Sequence, residues 1–463
     1  MIFATIFSIW LILIIFLSLF KLKWGVALFL AYMILVPVVQ FRLGGLRLGA
    51  NYFNLLFFIC FCFYARLKNI KLHWQPLVPF FIFFLVWLII MPLHSIPTDW
   101  MLNRWVRNAM NMLILPFVMY NVMANDPSSI RLFRNTMLVC IVIAIGYGLA
   151  QTQTPGENPY QMLCFSIFDM GDERFDMEYF EHYYSVEGNT GRLFGRLTSV
   201  YTHPMGFALF IGLSLVYVYY LRAKLKKIPV FILLLAIAVM AVICGVRSVI
   251  GGLVVAVAFY LFVKRNYKMF IAIMVVGAVV YVLMEQIPEL NTYLSSISDV
   301  TSGKRHDVGG SSIEMRLDQL RGALNEASKS PVIGLGYEWT SYYQSIHGPH
   351  PVCLAFESLI YVAVCNGAMV GCLLWIYLII AVMVNNKRLS SDSALLNTAL
   401  VFWIAYACIT GEYGYMKTFL IFYILMLGEQ LLQSRDEQEN NTIAEASALP
   451  SQLIDKPETT SIR

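Results

Sequence analysis

The chain has 463 residues, of which 59% are hydrophobic and 13% are charged. Soluble proteins carry about 25% charged residues, so the composition excludes an ordinary soluble enzyme and indicates a protein with many membrane-spanning helices. The formal net charge of +5 does not indicate nucleic-acid binding, because most basic residues lie in short turns between apolar runs.

Apolar runs of the length that a bilayer requires predict about 12–13 transmembrane helices within residues 1–432. The runs lie near 2–20, 24–41, 52–65, 77–93, 106–123, 135–151, 198–221, 228–244, 249–263, 269–286, 352–384, 394–411 and 415–432. The first run has no basic segment before it and no small-residue cleavage site, so we expect a retained helix. Residues 433–463 are polar and low in aromatics, which predicts a disordered tail.

Basic residues are distributed unequally between the two sets of connections. Alternate connections hold Lys21, Lys23, Arg66, Lys68, Lys71, Arg131, Arg134, Arg222, Lys224, Lys226, Lys227, Lys264, Arg265, Lys268, Lys387 and Arg388. The short connections of the other set hold only Arg42, Arg47, Arg104, Arg107, Arg247 and Lys417. The positive-inside rule makes the first set cytoplasmic, with the N-terminus outside and the tail inside.

Two long connections, 152–197 and 287–351, then fall outside the cytoplasm. The first is acidic and aromatic, and its rings either stack on sugars or pack within the protein. The second contains a predicted helix near 312–328, with a capping box at Ser311-x-x-Glu314 and apolar residues at helical spacing. Those residues are Ile313, Leu317, Leu320 and Leu324. This amphipathic helix is suited to lie across the membrane face or to cover a cavity.

The segment Gly195–Gly206 contains the first candidate residues, Arg196 and His203. They lie two helical turns apart and face one cavity if the helix has already begun, although Pro204 indicates that the helix begins there. The alternative is that Arg196 extends to the membrane interface.

Arg247 interrupts two apolar runs in the very short turn Cys244–Gly252. A charge in the bilayer costs at least a few kcal/mol unless an anion satisfies it, so an intramembrane Arg is a functional candidate. Contact with a lipid headgroup phosphate is the alternative.

Arg316 lies near the start of the predicted loop helix, where the helix dipole does not favour a cation. Its nearest carboxylates, Glu314 and Asp318, are two residues away and do not face it. A solvated side chain is the alternative. Arg321 is not a candidate, because Asp318 lies three residues before it on the same face.

His347-Gly-Pro-His350 joins the second long loop to the next span. A histidine suits general-base chemistry on a sugar hydroxyl, and His350 lies nearer the membrane than His347. The alternatives are ordinary loop histidines and a metal site, but no carboxylate or Cys accompanies the pair at ligand spacing. No paired-carboxylate cluster with metal-site spacing occurs in either long loop, so we expect chemistry without a metal or other cofactor.

Five segments carry a family resemblance: Arg196–Pro204, Gly245–Ser248, Met315–Ala323 with Ser330–Gly336, His347–His350, and Asn366–Gly371. In this order they resemble the motifs of the bacterial O-antigen polymerase and ligase superfamily of integral membrane glycosyltransferases. The resemblance is strongest over residues 190–385.

The resemblance implies an all-α polytopic fold of the GT-C-like kind in the bacterial inner membrane, with its active site facing the periplasm. It implies a metal-independent, inverting glycosyltransferase whose donor is a glycan on a polyprenyl diphosphate. Arg196, Arg247 and Arg316 would bind the diphosphate, Arg247 and His350 would be catalytic, and His203 and His347 are secondary candidates.

The acceptor distinguishes two activities within the family. A polymerase extends glycan repeat units, as in O-antigen, capsule or exopolysaccharide, and two long outer loops favour it. A ligase transfers finished glycan to lipid A–core. The expected partners are therefore the lipid-linked donor, one of these acceptors, membrane lipid and a chain-length regulator protein.

A transporter of a lipid-linked anion is the alternative from another class. Transporters usually have related halves and broken helices at the midplane, and the sequence indicates neither.

Overall fold

The structure, a computed structural model, describes residues 2–36, 40–43, 46–154, 158–168, 195–285, 313–390, 392–410 and 415–448. The first eight helices are α1 (Ile2–Phe20), α2 (Leu22–Leu35), α3 (Ala50–Leu67), α4 (Val78–Ile90), α5 (Thr98–Asn125), α6 (Pro127–Gln151), α7 (Pro159–Phe168) and α8 (Pro204–Leu221). The others are α9 (Lys227–Ile243), α10 (Arg247–Val263), α11 (Tyr267–Glu285), α12 (Ile313–Ala327), α13 (Trp339–His347), α14 (Leu359–Leu389), α15 (Ala394–Thr410) and α16 (Met416–Ala448).

The described residues outside helices include one antiparallel hairpin, which the sequence did not predict. It joins β1 (Gln40–Leu43) to β2 (Leu46–Gly49), with Gln40 opposite Gly49. Short 3-10 turns at Gln75–Leu77 and Met91–Leu93 extend α4 at both ends.

Five helical segments of the described chain are long and apolar enough to cross a membrane. They are Ala50–Leu67, Gln75–Leu93, Pro127–Gln151, Pro204–Leu221 and Leu359–Leu389. Shorter apolar helices such as α2, α9, α10 and α15 accompany them. The prediction of a helical membrane protein is therefore confirmed.

Three regions differ from the predicted elements or lie outside the described chain. The helix predicted near 312–328 is observed as α12, and α13 in the same connection was not predicted. α16 continues to Ala448, so residues 433–448 of the predicted disordered tail are helical. Residues 169–194, which contain most of the acidic and aromatic segment, and 449–463 lie outside the described residues.

The first half of α16 is the centre of the bundle. All residues from 419 to 429 are buried. The Phe422 ring lies 5.6 Å from that of Phe210 and 5.7 Å from that of Tyr217 on α8. On another face, Gly428 lies directly against Met123 of α5, where no side chain would fit. A helix that is apolar all round needs such partners on every side.

Ion pairs gather the predicted cytoplasmic connections at one end of the bundle, which we call the basic end. Lys23 contacts Asp126 at 3.1 Å, and Lys264 contacts Asp392 at 2.8 Å. The buried carboxylate of Glu429 contacts Lys224 at 3.1 Å and Arg134 at 3.4 Å. The opposite end, with α12, α13 and the first turn of α5, is the loop end.

We expect Glu429→Gln to destabilise the protein strongly. The carboxylate is 1% exposed, and removing one member of a buried ion pair costs about 3–5 kcal/mol because the remaining charges stay buried. A thermal melt of purified protein measures the change. Asp392→Asn is the control, since its pair with Lys264 is 60% and 40% exposed and such pairs contribute about 0–1 kcal/mol. Equal shifts for the two variants would contradict this account.

Candidate functional site

α14 is a broken helix, a feature that the sequence did not indicate. Ala368, nine residues after Leu359, has φ 43° and ψ −127°. The loop 330–336 inserts at the break and supplies hydrogen-bond partners to the interrupted backbone. The bonds are Leu335 N–H to Cys365 O, Gly336 N–H to Asn366 O, Met369 N–H to Pro331 O and Val370 N–H to Val332 O, at 2.9–3.3 Å. Interrupted helices persist in membranes when freed backbone groups find such partners.

Gly334 makes the close approach between loop and helix possible. Its φ is +76°, and a Cβ at this position would meet the backbone of Gly367 and Asn366. The two segments that carry parts of the family resemblance, Ser330–Gly336 and Asn366–Gly371, are therefore in direct contact.

Gly334→Ala should reduce the yield of folded protein sharply, because the methyl group would clash with backbone that cannot move aside. Gly348→Ala is a matched control, because Gly348 has φ +74° but open space around its Cα. With ψ −159°, Gly348→Ala should lose only the about 1–3 kcal/mol that an L-residue costs in such a sparsely populated backbone region. Size-exclusion chromatography and thermal melts compare them, and equal losses would show that φ alone makes Gly334 necessary.

The loop leads into Glu338, which sequence reasoning missed. Glu338 has φ 59° and ψ 26°, a left-handed conformation that costs a non-glycine residue about 1–3 kcal/mol and clusters at functional sites. One carboxylate oxygen accepts a hydrogen bond from the Asn108 amide of α5 at 3.1 Å. The other accepts one from the Ser341 hydroxyl at 2.6 Å. The carboxylate of Glu338 is thus fixed at the loop end. In the sequence, its only indication is its position two residues after the glycine motif Gly334-Leu-Gly336.

A backbone contact brings the segments of Arg196 and Arg247 together. The N–H of Leu197 donates to the carbonyl of Cys244 at 3.1 Å, and α10 begins at Arg247. α8 begins at Pro204, as that residue indicated, so Arg196 and His203 precede the helix and do not share a helical face. His203 instead caps α8, its ring Nδ1 accepting from the Met205 N–H at 3.3 Å.

The positive charge of Arg196 influences the pKa of the His203 ring. Neighbouring protein atoms and, to a smaller extent, the Arg196 guanidinium lower the pKa of the His203 ring, which favours its neutral form. We call Arg196, His203 and Arg247 the arginine cluster.

The arginine cluster lies where two helices begin side by side. Tyr406 of α15 donates to the carbonyl of Met205 in the first turn of α8 at 2.7 Å. The same α15 packs on the start of α10, where Gly251 lies close to Ile409. Helix N-termini carry partial positive charge and unsatisfied N–H groups, so they add to the guanidinium groups in favouring an anion.

Arg316, His347 and His350 form a second group at the loop end. The carbonyl of Arg316 accepts from the Tyr361 hydroxyl at 2.8 Å, and its side chain is half-buried. The ring of Tyr343 lies 4.9 Å from that of His347 and 5.1 Å from that of His350. His347 is exposed. Within the described residues, no hydrogen bond or ion pair joins Arg316 or His350 to the arginine cluster.

α12 packs on the bundle through a face other than the one that bears Leu317 and Leu324. Gln319, Ala323 and Ala327 are buried, whereas Leu317 and Leu324 are 49% and 54% exposed. Small side chains allow the close contact with the start of α14, and the larger apolar side chains face outward, where a membrane surface would cover them.

The contacts of His350 favour a structural role. Its Nδ1 accepts from the N–H groups of Val352 and Cys353 at 3.1 and 2.9 Å, so its proton is on Nε2. That nitrogen lies 3.7 Å from the carboxylate of Glu326. The lone pair of the neutral ring is therefore already used, and the role as general base stays a prediction that this geometry does not support.

No protein-family model and no curated protein sequence matches the chain. The likeness to the polymerase and ligase superfamily therefore stays a prediction from the motifs. The described residues contain no group of three or more His, Cys, Asp or Glu that could hold a metal ion.

Proposed function

We propose that the protein is a membrane glycosyltransferase that acts on an oligosaccharide linked to a polyprenyl diphosphate. One observation carries the proposal: a backbone hydrogen bond from Leu197 to Cys244 joins the segment of Arg196, just before α8, to the turn of Arg247, where α10 begins. Guanidinium groups stay charged and donate paired hydrogen bonds to phosphate oxygens. A diphosphate on a lipid brings this anion to a site at membrane depth.

The proposed orientation puts this site on the outer face of the bacterial inner membrane. The basic connections gather at the end marked by Lys224 and Lys264, and the arginine cluster lies at the other end. The positive-inside rule assigns the basic end to the cytoplasm, which leaves the site facing the periplasm.

The proposed reaction is an inverting displacement. An acceptor hydroxyl attacks the anomeric carbon, the carbon–oxygen bond to the diphosphate breaks, and the electron pair leaves with the lipid diphosphate. Arg196 and Arg247 stabilise the charge that develops on this leaving group, and fixed cations in a low-dielectric site do so efficiently. Arg316, at the edge of the second group, binds the donor from the loop side.

Glu338 accepts the hydroxyl proton in this proposal. Its carboxylate is held in place by Asn108 and Ser341, whereas the Nδ1 lone pair of His350 is occupied. His350 shapes the turn before α14, and the exposed His347 and the neutral His203 lie at the two edges of the site.

Arg247→Ala should lower the rate of glycan transfer about 10²–10³-fold, the loss typical of removing one charge-stabilising donor. Arg247→Lys should recover part of it, because the charge remains without the paired geometry. Arg321→Ala is the control, since Arg321 is exposed and paired with Asp318 at 3.2 Å. Polymer ladders on gels, normalised to membrane protein level, measure the effect. Normal ladders from Arg247→Ala would remove Arg247 from the mechanism.

A second pair of variants separates the two proton acceptors. Glu338→Gln should lower the rate about 10²–10⁴-fold, because the amide keeps the size but not the basicity. His350→Asn should stay within about tenfold of the wild-type rate, because its Oδ1 can replace Nδ1 as acceptor for the two backbone N–H groups. The opposite result, an active Glu338→Gln and an inactive but folded His350→Asn, would restore His350 as the base.

We favour a repeat-unit polymerase over a ligase because the chain presents two long connections on the proposed outer face. A gel of envelope glycan from a deletion strain separates them. Glycan limited to one repeat unit is expected for a polymerase, whereas loss of all attached glycan would make the protein a ligase.

The break in α14 is the one observation that favours a transporter. It lies near the loop end rather than midway along α14, and the loop 330–336 fills it. Purified protein in liposomes loaded on one side should form glycosidic bonds. Movement of donor without bond formation would make the protein a transporter.

A further inference from the structure

Lys417 is a cation near the start of α16, whose first half is the centre of the bundle. Met416 and residues 419–429 of α16 are buried, and only Lys417 and Thr418 in this stretch are partly exposed.

The ammonium of Lys417 has no hydrogen-bond or ion-pair partner among the described residues. Lys224 at the basic end, by contrast, contacts the buried carboxylate of Glu429 at 3.1 Å. The carboxylate nearest to Lys417 in sequence, that of Glu412, belongs to the connection 411–414, outside the described residues. A lysine within a membrane protein costs about 2.5–3.5 kcal/mol at the bilayer centre, and such residues mark substrate or ion paths.

Helix geometry puts Lys417 at the same height along the bundle as the start of α8, near which the arginine cluster lies, although on another face of α16 than Phe422. α8 and α16 run in the same direction, from the loop end to the basic end, and Phe422 packs on Phe210. Five residues earlier on each helix, Lys417 is level with Met205, in the first turn of α8. The ring of Tyr415 lies 5.8 Å from that of Tyr406, whose hydroxyl donates to the Met205 carbonyl.

The contact between α16 and α5 puts Lys417 at the same height along the bundle. Lys417 lies three helical turns before Gly428 and therefore on the same face, which packs on α5 at Met123. α5 also runs from the loop end to the basic end, so Lys417 is level with Met112. One turn nearer the loop end on that face is Asn108, which holds the carboxylate of Glu338.

We propose that Lys417 is a third cation of the diphosphate site, between the arginine cluster and Glu338. The inference rests on the proposed function. A diphosphate esterified at both ends carries two negative charges, which the two arginines match. Breaking the bond to the sugar creates a further charge on the lipid diphosphate, and Lys417 stabilises that charge. An ammonium is a compact charge with three donors, suited to an oxygen whose charge is developing.

The test compares Lys417→Met, Lys417→Arg and the control Lys227→Met in the purified full chain. Lys227 is an exposed lysine at the start of α9, at the basic end. Binding of inorganic pyrophosphate is measured by calorimetry, and transfer kinetics with lipid-linked donor. Lys417→Met should weaken pyrophosphate binding at least about tenfold, or about 1.4 kcal/mol, and lower kcat more than it raises KM. Lys417→Arg should retain most of both, and Lys227→Met should match the wild type.

Thermal stability gives an independent readout. Removing a partly buried charge that has no ion-pair partner among the described residues should leave Lys417→Met at least as stable as the wild type. A destabilised Lys417→Met protein would reveal a structural partner and overturn the inference.

The failure of this inference differs from the failure of the proposed function. If the wild type binds pyrophosphate and forms glycosidic bonds while Lys417→Met does both equally well, Lys417 is not part of the site and the proposed function stands. If the wild type neither binds pyrophosphate nor transfers glycan, the proposed function fails and the inference fails with it.

Discussion

A positive charge held away from water must be balanced by a negative one, and this constraint organises both ends of the bundle. At the basic end the protein supplies the anion itself, because Glu429 lies 1% exposed between Lys224 and Arg134. At the loop end Lys417 has no such carboxylate among the described residues. The same central helix thus carries a charge that the protein satisfies and another that a ligand is suited to satisfy.

The broken helix α14 follows the same rule for uncharged polar groups. Backbone N–H and C=O groups released at Ala368 would be costly in a membrane without partners. The loop 330–336 supplies them, and Gly334 permits the approach. This arrangement fixes the start of α13, and with it the strained backbone and the two hydrogen bonds that hold Glu338. The conformation of the loop 330–336 and of Glu338 therefore depends on the break in α14.

His350 and Glu338 are the two candidates for the general base. Their hydrogen bonds distinguish them more clearly than their residue types do. Histidine is the commoner general base, and its position before a transmembrane helix favoured it. The Nδ1 lone pair of His350 accepts hydrogen bonds from two backbone N–H groups, so this side chain stabilises the turn. Glu338 accepts hydrogen bonds from Asn108 and Ser341, and a carboxylate has lone pairs left to accept a proton.

The sequence by itself determined the helical membrane class, most helix positions, the basic end and the helix α12, because hydropathy, charge and capping are local properties. It also singled out Arg196 and Arg247, whose cost in a membrane is evident from composition alone. Only the tertiary structure decided which face of α12 packs, where α14 breaks, and how His350, Glu338 and Lys417 are surrounded. These features depend on contacts between residues far apart in the chain, such as Leu197 with Cys244 and Gly334 with Gly367, and no local pattern encodes such contacts.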